Sequence, residues 1–361
     1  MQIEGSLENT LLYENLRYEA AYQAEVQPVQ ERVNSLPEGS AERQAAQAEL
    51  QGLIDGRVAH LREVFAAHPQ AFFTKFKQAG QNPTVRDGLS DTEKVYWYRH
   101  EFWDSVDFTD ERLLRTPVIA NKLKRYITEL TNQHPDSIIA SADYLLSLLP
   151  PEAQESEYYK FFANWVALQY EPTKTTLMDP EAVFVHMVQQ YFTYDKAFWA
   201  DSVEVYALQQ RASEMANSIV GKPAPNVKVP GLDGNLKTLF DLEAPYLVVY
   251  MFNPDCEHCQ EQSPVLVNLY RRWQAQPNPE IDVYAIAVDT DEASWRDYVN
   301  KAGLGIWTNV FDSTNRSIYR TYYVDVTPEV YVVGPERTII AKNLNVNQIE
   351  EVIRRDKEKR Q

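Results

Sequence analysis

Residues 219–361 predict an α/β sandwich around a central sheet, and residues 1–218 predict a mostly α-helical domain ahead of it. Three observations carry that expectation. After position 245 there are near-continuous apolar runs rich in β-branched and aromatic residues, as in strands covered on both faces. Helical segments alternate with these runs, and before position 218 the periodicity is helical throughout. A chain of 361 residues also exceeds one typical core, so two domains are the natural expectation.

Taken in order, Ala41 to Val64 is rich in Ala, Gln, Glu and Leu and sparse in large apolar groups, which predicts a long exposed helix or hairpin arm. Tyr96 to Trp103 predicts a helix whose aromatics fill the helical core rather than a ligand platform. In Pro117 to Thr131, Ile119, Leu123, Tyr126, Ile127 and Leu130 recur at helical spacing. Pro135-Asp136-Ser137 starts a further helix that Pro150-Pro151 stops. Asp179-Pro180 opens another, on which His186 reads as a satisfied core residue, and Lys196 to Ile219 reads as the last.

Gly221-Lys222-Pro223-Ala224-Pro225 breaks the helical pattern and marks the domain boundary. Beyond it, Tyr246 to Phe252 and Ile281 to Val288 read as buried strands. Glu329 to Val333 and Thr338 to Lys342 read as a hairpin around Gly334-Pro335. Helices are expected at Cys256 to Gln274, Glu292 to Ala302, Ser313 to Tyr322 and Asn347 to Lys359, giving the order β-α-β-α-(β)-α-β-β-α.

Composition excludes several function classes. A formal net charge of −17 opposes binding to a phosphate backbone, so no nucleic-acid partner is expected. No run approaches the roughly 18 apolar residues of a membrane-spanning helix. The first residues have neither a basic start nor an apolar stretch, so no signal sequence is visible.

The chain has two cysteines, Cys256 and Cys259, which leaves redox chemistry, metal binding or inertness. Zinc needs about four ligands, and His60, His68, His100, His134 and His186 supply no second pair, so no metal is expected. A buried strand that delivers Cys-x-x-Cys to a helix N-terminus favours thiolate at the first cysteine, because free N–H groups and the positive dipole end converge there. Cys256 is therefore the candidate nucleophile, and Cys259, one turn on, the candidate resolving thiol. His258 can support the Cys256 thiolate, whereas Glu257 and Asp255 oppose it by like charge. Pro264 falls inside the helix, and Thr327-Pro328 precedes an apolar strand, where a cis proline would set the Thr327 backbone beside the dithiol to hold an extended substrate.

Together the Gly221–Pro225 segment, the Gly231-Leu232-Asp233-Gly234 turn, Phe252-Asn253-Pro254-Asp255-Cys256-Glu257-His258-Cys259, Pro264 and Thr327-Pro328 resemble the TlpA/ResA-like branch of the thioredoxin superfamily, also grouped with AhpC/TSA-like domains. The resemblance implies a thioredoxin fold with an inserted β-α element, attack by Cys256, resolution by Cys259 and a cis peptide at Pro328. It implies no bound cofactor beyond the redox-active disulfide. Its implied partners are protein or peptide disulfide substrates and a thiol electron-donor protein, soluble or membrane-bound.

Some positions depart from that pattern. Asp255 stands where many members have tryptophan, and Tyr250 where thioredoxin has a buried aspartate. Gln262, with Glu261 beside it, stands where ResA-like members carry a glutamate, so the proton relay to Cys259 falls to Glu261, Glu257, His258 or water. The segments around Phe102-Trp103-Asp104, Asp110 to Pro117, Pro135 to Ile139 and Val185-His186 resemble an uncharacterised helical domain that precedes such domains in Gram-negative cell-envelope proteins. Ile3-Glu4-Gly5-Ser6 resembles the remnant of a small β module. That resemblance implies a periplasmic or envelope-anchored protein, often a lipoprotein.

The leading expectation is a thiol-disulfide oxidoreductase acting on protein disulfides, more as a reductase than as an oxidase or isomerase. Two alternatives stand beside it. One is a thiol peroxidase, although Asn253 occupies the place of the Thr or Ser that helps peroxiredoxins hold peroxide. The other is an interaction scaffold in which the helical domain selects partners.

Overall fold

The computed structural model of the protein describes residues 5–150, 155–314 and 317–361. It divides into two compact units, Met1–Leu130 and Thr131–Gln361.

The first unit begins with two long helices, α1 (Leu7–Ser35) and α2 (Ala41–Ala67), each started by a serine side chain that accepts a backbone N–H. The short turn between them makes an antiparallel hairpin, held by the pairs Arg32–Glu49 and Arg57–Glu19 and by Tyr18 stacked on His60 at 3.7 Å. α2 buries little beyond Ala46 and Leu61, so this hairpin is the exposed arm that its composition predicts. Residues 1–4, and with them Ile3 and Glu4 of the expected β remnant, lie outside the described residues, and Ser6 serves as the cap of α1.

α3 (Phe72–Ala79) takes its cap from α1, since Glu8 accepts the N–H groups of Phe72 and Phe73 at 2.8 Å each. α4 (Asp91–His100) ends before Phe102 and Trp103, which are the aromatics of this stretch that enter the core. Tyr96 stays 59% exposed, so the expectation that all these rings fill the core is only half right. α5 (Pro117–Lys124) runs on as a π-helical turn over Arg125–Glu129, a local widening that apolar periodicity does not reveal.

The second unit opens with α6 (Pro135–Ser147), α7 (Glu157–Gln169), α8 (Pro180–Tyr191) and α9 (Ser202–Met215). The helix expected from Lys196 starts only at Ser202, because Asp201 and Glu204 form a capping box there and the preceding residues turn. His186 is satisfied as expected, with Nε2 2.7 Å from Asp143 Oδ1.

A short hairpin of β1 (Val229–Pro230) and β2 (Leu236–Lys237) precedes the main sheet. That sheet is built from β3 (Tyr246–Phe252), β4 (Ile281–Ala287), β5 (Thr308–Phe311), β6 (Glu329–Val333) and β7 (Ile339–Ala341), in the order β5-β4-β3-β6-β7. β3, β4 and β5 run parallel, while β6 is antiparallel to β3 and β7 to β6. The fold is thioredoxin-like, with the inserted part in the stretch from β4 to β5.

All of β3 is buried because both faces are covered. Val248, Tyr250 and Phe252 pack toward α10 (Glu257–Gln274), α11 (Glu292–Ala302) and α13 (Ile349–Arg360). Leu247, Val249 and Met251 pack on the other face with α12 (Ser317–Tyr322). The Gly221–Ala224 segment pairs along the β7 edge, with Gly221 N–H donating to Ile339 O and Ile339 N–H to Lys222 O. Pro223, which helps break the helix, thus belongs to an edge partner, bridging to Thr338, that closes an otherwise open strand.

Candidate active site

Asn253-Pro254-Asp255-Cys256 forms the turn between β3 and α10. Pro254 presets the turn, Cys256 N–H closes it onto Asn253 O at 3.2 Å, and the Asn253 side chain accepts from Asp255 N–H. Cys256 is then the N-cap of α10: its Sγ accepts the Cys259 N–H at 3.3 Å. The same sulfur lies 3.1 Å from Thr327 O, and the Thr327–Pro328 peptide is cis. Two stretches of chain more than seventy residues apart therefore meet at one sulfur atom.

The two thiols have opposite electrostatics. For Cys256, partial burial pushes the pKa up, but hydrogen bonding to the side chains of Cys259 and Thr327 and to the backbone N–H groups of Cys259 and His258 outweighs it. The net result lies below the ordinary thiol value of 9.0. Cys259 has no exposed surface, and burial first and the neighbouring Cys256 second push its pKa up to about 12. One thiol is accessible and disposed to ionise, and the other is buried and protonated.

The remaining residues singled out from the sequence are placed differently. His258 reaches solvent with its side chain 77% exposed, 3.5 Å from Glu261, and only its backbone N–H serves Cys256. Glu257, Glu261 and Asp255 also lie toward solvent. Gln262 turns its Oε1 to the Val346 N–H. Behind Cys259 there is instead a set of hydroxyls. Tyr250 and Tyr298 both donate toward Cys259 O, at 3.4 and 3.2 Å, and both contact Ser263 Oγ, at 2.9 and 3.0 Å. Tyr298 and Ser263 gave no sequence signal, because nothing local distinguishes them from packing residues.

Among the described residues no group of three or more His, Cys, Asp and Glu is arranged to hold a metal ion. No described helix is long and apolar enough to cross a membrane.

Comparison with known proteins agrees with this geometry. Residues 220–342 match the AhpC/TSA family, and residues 67–217 match a domain of unknown function, DUF5106. The thiol-disulfide oxidoreductase ResA of Bacillus thuringiensis is 22% identical over 121 residues, 34% of this chain and 67% of the relative. The ResA protein of Bacillus cereus is 23% identical over 123 residues, 34% of this chain and 68% of the relative. The crystal structure of a thioredoxin-like protein from Bacteroides caccae ATCC 43185 shares the fold at a TM-score of 0.52 and 17% identity, covering 75% of this chain and 96% of that one. The turn that presents Cys256 thus sits in a thioredoxin-like domain that matches the AhpC/TSA family, with ResA-type thiol-disulfide oxidoreductases among its relatives, and the region before it matches DUF5106.

Proposed function

We propose that the protein is a dithiol oxidoreductase that reduces protein or peptide disulfides in the cell envelope through Cys256 and Cys259, with electrons supplied by a thiol donor protein. The observation that carries this is the single sulfur held by α10 and by Thr327 O, with the second thiol one helical turn behind.

Cys256 thiolate attacks one sulfur of the substrate disulfide, the substrate S–S bond breaks, and the departing thiolate takes a proton from solvent. Once Cys256 is bound in the mixed disulfide its charge is gone, and with it one of the two causes that keep Cys259 protonated. Cys259 then loses its proton and attacks Cys256 Sγ. The second substrate thiolate leaves, and two electrons have moved to the substrate as the Cys256–Cys259 bond forms. Two thiols of the donor protein return the pair to the dithiol. Thr327 and Pro328 flank the attacked sulfur and offer backbone to an extended substrate. The envelope location rests on the family resemblance alone.

Insulin reduction with dithiothreitol is expected to disappear in Cys256→Ser, and Cys259→Ser is expected to accumulate mixed disulfides. Undiminished reduction by both variants would defeat the reading. No observation favours peroxidase chemistry: Asn253, at the position in question, spends its amide on Asp289 O at 2.8 Å.

A further inference from the structure

A cavity of about 720 Å³ opens beside the cis peptide, with Pro328 and Gln262 in its wall. It lies within the second unit, between the residues around Met178 and Glu181 and the start of β6. Its apolar lining includes Met178, Leu344 and Val352. Its charged lining is one-sided: Glu181, Asp325, Glu329 and Glu351 face a single Arg355, whose Nε already donates to Glu351 at 2.6 Å.

Glu181 and Glu329 are the most buried of these groups, to the same degree, and Glu329 is the less served. Glu329 is 4% exposed, and its Oε2 has no hydrogen-bond partner among the described residues. Glu181 is better placed, with Asn343 Nδ2 at 3.2 and 3.1 Å from its two oxygens and Lys342 Nζ at 3.2 Å. Lys342 is completely buried and rests 4.9 Å from the Tyr331 ring centroid. It is the cation shared by Glu181, Glu329 and the neighbouring Asp179. Three buried carboxyl groups around one ammonium cannot all stay ionised in a low-dielectric site, so one is held protonated until a further cation arrives to take the place of its proton. Consistent with that, burial pushes the Glu329 carboxyl up to about 8 and that of Asp179 to about 6.

We propose that this cavity is a subsite for a basic side chain, lysine or arginine, carried by the disulfide substrate beside its reacting cysteine. The proposal rests on the dithiol reading above and names the class of substrate it selects. A chain bound at Cys256 Sγ lies against Thr327, and each extended residue advances about 3.3 Å, so a residue near the reacting cysteine brings its side chain to Pro328. The methylene stem then lies along Met178, Leu344 and Val352 while the charged head reaches Glu329, the way long basic side chains divide themselves between apolar and polar surroundings.

The test uses the full chain and fluorescein-labelled hexapeptides in which serine replaces the reacting cysteine. Lysine is scanned through the neighbouring positions, and each peptide has a norleucine twin. At one position the lysine peptide is expected to bind about tenfold more tightly by fluorescence anisotropy, equivalent to about 1.4 kcal/mol. That advantage is expected to vanish in Glu329→Gln. Equal binding of every twin pair by the wild-type chain overturns the proposal without recourse to any variant. Counterparts of these peptides that keep the reacting cysteine, each oxidised to its symmetric disulfide, are then offered to the reduced protein. Reduction with no lysine preference removes the subsite and leaves the dithiol reading intact. A binding preference with turnover no faster than in Cys256→Ser keeps the subsite and removes the dithiol reading.

Discussion

Replacing Cys259 by alanine tests the electrostatic account of Cys256 directly. Among the influences that lower the Cys256 pKa, the hydrogen bond to the Cys259 side chain is the largest, and it opposes partial burial, which raises it. A hydrogen bond to a charged group contributes about 1.5–3 kcal/mol, and about 1.4 kcal/mol corresponds to one pKa unit. The backbone N–H groups of Cys259 and His258 and the contact with Thr327 remain in the variant. An upward shift of about one unit is therefore expected.

The assay is the rate of iodoacetamide alkylation at Cys256, followed by mass spectrometry from pH 6 to 10. In the wild-type dithiol the inflection falls below 9.0, and Cys259, held at about 12, stays unlabelled throughout. In Cys259→Ala the inflection moves up by about a unit, so the variant reacts about tenfold more slowly near neutral pH. Superimposable wild-type and variant profiles, or labelling of Cys259 at a rate comparable with Cys256, would refute the account.

Two further outcomes follow from side chains that the sequence alone leaves unassigned. Glu329 has its folded-state pKa raised to about 8 from a usual 4.5, so between these values the folded state binds more protons than the unfolded one and stability falls as pH rises. Guanidinium midpoints measured from pH 5 to 8.5 should fall less steeply in Glu329→Gln than in wild type, and parallel slopes would count against a protonated buried carboxyl. Tyr298→Phe removes hydrogen bonds to Cys259 O and Ser263 Oγ that Tyr250 duplicates only in part. A loss of about 1 kcal/mol in denaturant stability is expected, and no loss would show that the hydroxyl set behind Cys259 is not a support.

Much of the α/β half was legible because its signals are local. β3 spans Tyr246–Phe252 as its unbroken apolar run requires, since burial on both faces removes the need for alternation. α11 spans Glu292–Ala302, started by Asp291 and closed by Gly303 at φ +70°, both visible as single letters. In the helical half, the start of α9 at Ser202 was missed because a capping box outweighs apolar periodicity, and the π-helical turn after α5 has no periodic signature at all.

The amino-acid order alone determined the dithiol: two cysteines three apart, a strand before them, a helix after them, and a proline that could stand opposite. The strand, the cysteines and the helix follow one another directly along the chain, so spacing suffices to place them. Tertiary structure decided what surrounds the sulfurs and what lies beyond them. Tyr250, Ser263 and Tyr298 come from β3, α10 and α11, and converge only when helices cover the sheet. Glu181, Glu329 and Lys342 look like ordinary solvated charges in the sequence and become a buried cluster because α8 packs near the start of β6. Burial and partnership are properties of contacts made across long stretches of chain, and no window of sequence contains them.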